Sequence, residues 1–177
     1  MVELFHTTSE SCSRIITQRY STSFSSAIKM LHKDLRTPIF NIYGFVRFAD
    51  EIVDTFHDHD KVALLTQFKK ETYDAIDRGI SLNPVLNSFQ LTVNEFNIDL
   101  KLVDAFFRSM EMDLEKKNYD CAGYKEYIYG SAEVVGLMCL YVFCEGKQEL
   151  FDHLEAPARS LGAAFQKVNF LRDIKAD

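Results

Sequence analysis

Only seven glycines and three prolines punctuate this chain of 177 residues. Sheet-rich folds spend both residue types on turns, so this scarcity argues against them. Cysteine is scarce too. Cys12, Cys121, Cys139 and Cys144 form no CxxC, and the five histidines show no zinc spacing. A disulfide scaffold and a structural zinc site are thereby set aside, and a reducing cytosol is the expected setting. Basic excess is missing as well: 20 Lys and Arg face 26 Asp and Glu, giving a net charge of −6. No basic face is therefore expected for nucleic acid. Residues Met1–His6 lack the basic start and apolar run of a signal peptide. The greasiest stretch, Val134–Cys144, is only 11 residues between Glu133 and Glu145. A bilayer span needs about 20. A buried helix is the expectation, in a cytoplasmic protein that at most touches a membrane peripherally.

What is present in abundance is helical periodicity, with 47% apolar residues to feed a core. Thr7 is placed to cap a first helix, with Glu10 as its reciprocal partner, and the chain pauses at Ser21-Thr22-Ser23. The stretch from Asp34 to Pro38 reads as a break, with Pro38 opening a helix through Ile39, Ile42, Val46 and Val53. Thr55–Asp60 reads as a solvated loop. Asp60, Asn83-Pro84 and Asp99 can each start a helix, and Gly79 and Gly146 can end one. A long apolar helix is predicted from Tyr124 to Cys144, and a last one from Ala156-Pro157 to the final residue. No repeat or linker marks a boundary, so residues 1–177 are expected to form a single all-α domain.

Carboxylates four residues apart share a helix face. Most such pairs are solvated, but Asp50/Asp54 lies in an otherwise apolar helix, and Asp173/Asp177 extends a ladder from Asn169. Like charges at this spacing destabilise a helix, and a divalent cation would compensate. Mg²⁺ suits the task, since it takes a few carboxylates together with phosphate oxygens. Arg47 and Arg172 stand beside the two acidic stretches, suited to bidentate phosphate contacts. The combined reading is a metal–diphosphate clamp between two helices. Glu51 points about 100° away from Asp50 and is not needed as a ligand.

Four segments carry a resemblance: Ser21-Thr22-Ser23-Phe24, Tyr43 to Asp54, Tyr127 to Gly136, and Gln166 to Asp173. Together they resemble the squalene/phytoene synthases, most closely the bacterial phytoene synthases. The resemblance implies an isoprenoid-synthase-type helical bundle that condenses two prenyl diphosphates head to head. It implies Mg²⁺ on Asp50, Asp54, Asn169, Asp173 and Asp177. Arg47, Arg172, Gln166, Tyr43, Phe24 and the stretch Tyr20, Ser21, Thr22, Ser23 would contact the substrates. Asp50, Asp54 and Asp173 would also act in catalysis with Arg47, and Tyr127 would face the reacting centre. Phe24, Tyr43, Tyr127 and Phe165 are candidates to shield carbocations from water. Gly130, Ala132 and Gly136 would either leave a groove for a prenyl chain or let a neighbouring helix pack closely.

Proton loss after the rearrangement would give phytoene from geranylgeranyl diphosphate. Hydride from NADPH would give squalene from farnesyl diphosphate, the alternative reading. A non-catalytic relative serving as a scaffold is the third. Members of the family continue beyond the second acidic motif, on whose last aspartate this chain stops. The expectation is an N-terminal portion without its C-terminal helices, inactive alone and prone to self-association through uncovered apolar surface.

Overall fold

The computed structural model describes residues 2–115 and 121–173, and for residue 121 and residues 170–173 the backbone alone. All regular structure among the described residues is helical, as the periodicity predicts. The chain divides into two compact units, residues 1–98 and residues 99–177.

The first unit holds α1 (Val2–Tyr20), α2 (Thr22–Met30), α3 (Lys33–Asp54), α4 (Lys61–Arg78) and α5 (Pro84–Phe96). Helices α1, α3 and α5 pack on one another, and α4 leans on α3 and α5. Phe45 and Phe89 stack at the centre with ring centroids 3.8 Å apart, and Phe68 joins them at 5.7 Å. Close approach depends on small residues. A Cβ on Gly44 would sit 2.7 Å from Ser13 Oγ, and Ser13 itself shares a 2.6 Å hydrogen bond with Ser88. A bulkier residue at position 44 would push α1 off α3.

Local chemistry explains several boundaries. Asp60 accepts from the Ala63 amide at 2.9 Å, and Asn83 accepts from Val85 at 3.0 Å. Gly79 ends α4 at φ 69°. Residues 55–60 are exposed, as a polar loop requires.

Three expected boundaries are wrong. Helix α1 begins at Val2, and Thr7 lies inside it, its hydroxyl donating back to the Leu4 carbonyl at 3.1 Å. Helix α3 starts at Lys33, before Pro38, and the last helix starts at Gln148, before Pro157. Each proline removes one helical donor, to the carbonyl of Asp34 or His153. Both residues are exposed, so water can serve those carbonyls.

The second unit holds α6 (Leu100–Glu115), α7 (Cys121–Ile128), a π-turn (Tyr129–Glu133), α8 (Val134–Cys144) and α9 (Gln148–Asp173). The predicted helix over residues 124–144 is thus one apolar rod interrupted by a turn of wider winding. Its Ala122–Cys144 stretch, 23 residues, is long and apolar enough to cross a membrane by length and composition. Val134, Leu137, Met138, Leu140, Val142 and Cys144 are nevertheless buried, and α8 packs on α6 and α9. Gly130 decides between the two readings of the small residues. A Cβ there would collide with the Ala105 carbonyl and lie 2.7 Å from Ser109 Cβ. Gly162 of α9 likewise comes close to Ala132 and Glu133, 3.1 Å from a Cβ placed on it. At Gly130 and Ala132 the small residues admit helices.

Candidate active site

The C-terminal turns of α3 concentrate negative charge where a helix tolerates it least. Asp50, Glu51 and Asp54 fall in its last five residues, and the last turn holds no basic residue. Relief comes from the next helix. Lys61 donates to the Val53 carbonyl at 2.6 Å and meets His57 Nδ1 at 3.0 Å, capping the helix end with a cation. Sequence reasoning missed Lys61, whose partner is a backbone atom.

Asp50 is half-buried and Asp54 exposed, one turn apart. Arg47 lies on the same side of α3, about 60° from Asp50 on the helical wheel and about 40° from Glu51 on the other side. Its Nη2 donates to Glu51 Oε2 at 2.6 Å, with side chains 26% and 19% exposed. Its guanidinium carbon sits 4.5 Å from the centre of the Tyr20 ring, a cation–π contact. Its Nε is buried and has no hydrogen-bond partner. Glu51, set aside as a metal ligand, is therefore the group that engages Arg47. The i,i+4 spacing of an arginine and a glutamate was the available signal. Glu51 lines a pocket of about 340 Å³, together with Tyr20, Phe48, Ile52, Phe56 and Leu64 among others.

Nearby positions have local tasks. Ser21 caps α2, its hydroxyl accepting from the Phe24 amide at 3.2 Å. Thr22 and Ser23 form the exposed first turn of that helix. Phe24 and Tyr43 stack with centroids 4.7 Å apart.

In the second unit, the Tyr127 hydroxyl donates to Asp113 Oδ2 at 3.1 Å. Gln166 donates to Ser131 Oγ at 3.4 Å. Arg159 donates through Nε to Glu133 Oε2 at 2.8 Å and faces the Tyr129 ring at 5.0 Å. That hydrogen bond, with the carboxylate's charge, raises the Arg159 pKa above its ordinary value. None of this trio's contacts was foreseen, because they join residues 26 or more apart in sequence. Phe165, expected to line a cavity, is 64% exposed beside Leu161 and Val168. Asn169 is exposed near the end of α9. The side chains of Arg172 and Asp173, and Asp177 altogether, lie outside the described residues.

Among the described residues no three His, Cys, Asp or Glu side chains gather to hold a metal alone. Two carboxylates on one face, both hard oxygen donors at an acidic helix end, nevertheless fit Mg²⁺. That ion takes one or two carboxylates and completes its shell with water and phosphate oxygens.

Comparison with known proteins bears on this arrangement. Residues 17–177 match the squalene/phytoene synthase family. A presqualene diphosphate synthase of Rhodopseudomonas palustris is 31% identical over 159 residues, which cover 88% of this chain and 55% of that protein. A phytoene synthase of Arthrospira platensis is 26% identical, over 93% of this chain and 56% of that protein. The fold is that of a squalene synthase from Alicyclobacillus acidocaldarius, with a TM-score of 0.84 at 23% identity, covering 98% of this chain and 64% of that one. The chain spans about half the length of the curated relatives it matches.

Proposed function

The chain belongs to the squalene/phytoene synthase family, and on that premise we propose that the protein joins two prenyl diphosphates head to head. Two geranylgeranyl diphosphates give phytoene through a cyclopropyl diphosphate. The observation that carries this reading is Arg47 on one side of α3 with Asp50 and Asp54, two carboxylates one turn apart beside an arginine at the acidic end of the helix.

Asp50 and Asp54, with Asn169, Asp173 and Asp177 of the second motif, are the residues to hold Mg²⁺. The ion, when bound, offsets the charge of the departing diphosphate. Arg47, Arg172 and Gln166 bind diphosphate oxygens, and the first turn of α2 at Thr22 and Ser23 offers backbone amides to the same group. Loss of diphosphate leaves an allylic cation on the first substrate. Attack by the double bond of the second, with loss of a proton, closes the cyclopropane. Phe24, Tyr43 and Tyr127 are the aromatic residues proposed to shield the charge from water. The hydrogen bond to Asp113 fixes the orientation of Tyr127.

A second reading is favoured by the relative from Rhodopseudomonas palustris: condensation of farnesyl diphosphate, with NADPH used only if squalene is the product. The location proposed is the cytoplasm, with peripheral membrane contact. Leu161, Phe165 and Val168, each at least 60% exposed on α9, are the surface by which this chain associates.

The test supplies the protein at its full natural length with labelled C20 or C15 diphosphate and Mg²⁺, with and without NADPH. A C40 hydrocarbon formed without nicotinamide is the expected result. Product from C15 substrate alone transfers the assignment to the second reading, and no product from either substrate overturns both.

A further inference from the structure

The geometry around Arg47 points to a device that the reaction scheme leaves out: Glu51 and Tyr20 hold Arg47 in a parked position, and a diphosphate binds by taking Arg47 from Glu51. This rests on the reading of Arg47 as a diphosphate contact. Glu51 is thus a positioning residue that sets how readily the arginine is given up.

Three observations converge. Glu51 Oε2 accepts from Arg47 Nη2 at 2.6 Å, and both side chains are mostly buried. The Tyr20 ring supports the guanidinium at 4.5 Å. Arg47 Nε is buried without an acceptor. A guanidinium presents Nε and one terminal nitrogen as a two-pronged edge made for a pair of oxygens. Glu51 takes a single prong. The parked state therefore leaves a donor unsatisfied, a cost that a better acceptor relieves. A diphosphate supplies several charged oxygens and can engage both prongs at once. The wheel positions make the exchange short. Arg47 stands between Glu51 on one side and Asp50 on the other, so a change of side-chain rotamer carries it from one to the other without moving α3.

A parked arginine also limits wrong binding. A ligand with one weak acceptor gains too little to displace Glu51, whereas a diphosphate gains two charge-assisted hydrogen bonds. The Tyr20 ring keeps the cation from escaping to water.

The experiment titrates inorganic diphosphate with Mg²⁺ into the protein at its full natural length, by calorimetry. Four forms are compared: the unsubstituted protein, Glu51→Gln, Arg47→Gln, and both together. Circular dichroism checks the fold of each. Glu51→Gln is expected to tighten binding about two- to fivefold, the range that loss of a competing ion pair would release. The gain should vanish in the Arg47→Gln background, since the coupling belongs to the pair. In turnover, KM for the prenyl diphosphate should fall while kcat does not rise. Tyr20→Leu is the second probe, at a site 49% exposed, and should tighten binding in the same direction by about twofold. Weaker or unchanged binding in both Glu51→Gln and Tyr20→Leu, with binding still lost in Arg47→Gln, overturns the parked state alone. Unchanged binding in Arg47→Gln, or no binding by the unsubstituted protein, overturns the diphosphate reading with it.

Discussion

Arg47 and Arg159 have the same two kinds of neighbour, a glutamate and a tyrosine ring, in two different parts of the molecule. They differ in which nitrogen is satisfied. Arg159 spends Nε on Glu133 and so ties α9 to the π-turn. Arg47 gives a terminal nitrogen to Glu51 within a single helix and keeps a bare, buried Nε. The first arrangement joins elements that would otherwise separate. The second ion pair joins no separate elements, because residues four apart in a helix are already neighbours, and only the Tyr20 ring reaches Arg47 from α1. An arginine whose ion pair adds no tertiary link, and which still has an unsatisfied donor, is suited to use by a ligand.

Conservative substitution of the two arginines is the strongest challenge to this contrast. Arg47→Lys should lower turnover about 100-fold, because a point charge cannot reproduce the two-pronged edge. Arg159→Lys should leave turnover within about twofold and show its effect in thermal unfolding. Steady-state kinetics beside melting curves separates them, and equal kinetic losses would erase the distinction.

Backbone crowding predicts the next effect in size. Gly130→Ala forces a methyl against Ala105 and Ser109, and Gly44→Ala forces one against Ser13. Each should cost about 1–3 kcal/mol in denaturant unfolding. Gly130 meets a backbone carbonyl that cannot yield, so its loss should be the larger of the two. Glu133→Gln should cost less, about 1 kcal/mol, since Arg159 is nearly half exposed and water recovers part of its solvation.

The smallest effect carries a pH signature. Burial raises the pKa of Glu10 above 4.5, despite the nearby Arg14 charge. A raised carboxylate pKa means stability that is fully present below the ordinary value and is lost as pH rises through the raised one. Glu10→Gln should therefore raise the melting temperature by about 1 °C at pH 7, and the gain should vanish near pH 4. A gain that grows on acidification would reverse the sign.

Much of the fold can be read from residue order, because capping and periodicity are local. Asp60, Asn83 and Gly79 act at the helix ends where their chemistry places them. The failures came where a local signal had two readings. Thr7 can cap a helix or bond back inside one, and prolines 38 and 157 sit inside helices where the residues whose carbonyls they abandon, Asp34 and His153, are exposed. The π-turn was invisible in the sequence, since what shapes it is contact with α6 through Gly130. At the site, the same spacing that singles out Asp50 and Asp54 also pairs Arg47 with Glu51. Counting only like charges hid that pair. Asp113 and Ser131 engage Tyr127 and Gln166 through tertiary packing alone, and no motif announces them.

The central claim is that the acidic end of α3 takes Mg²⁺ together with a diphosphate. Calorimetric titration of inorganic diphosphate into the protein at its full natural length, with and without Mg²⁺, tests it most directly when Asp50→Asn and Asp58→Asn are run in parallel. Asp58 lies four residues past Asp54 but in the exposed loop, off the helix. Binding should require Mg²⁺, weaken by at least about tenfold in Asp50→Asn with helicity intact, and stay unchanged in Asp58→Asn. Binding that is indifferent to Mg²⁺, or that survives Asp50→Asn undiminished, would contradict the account.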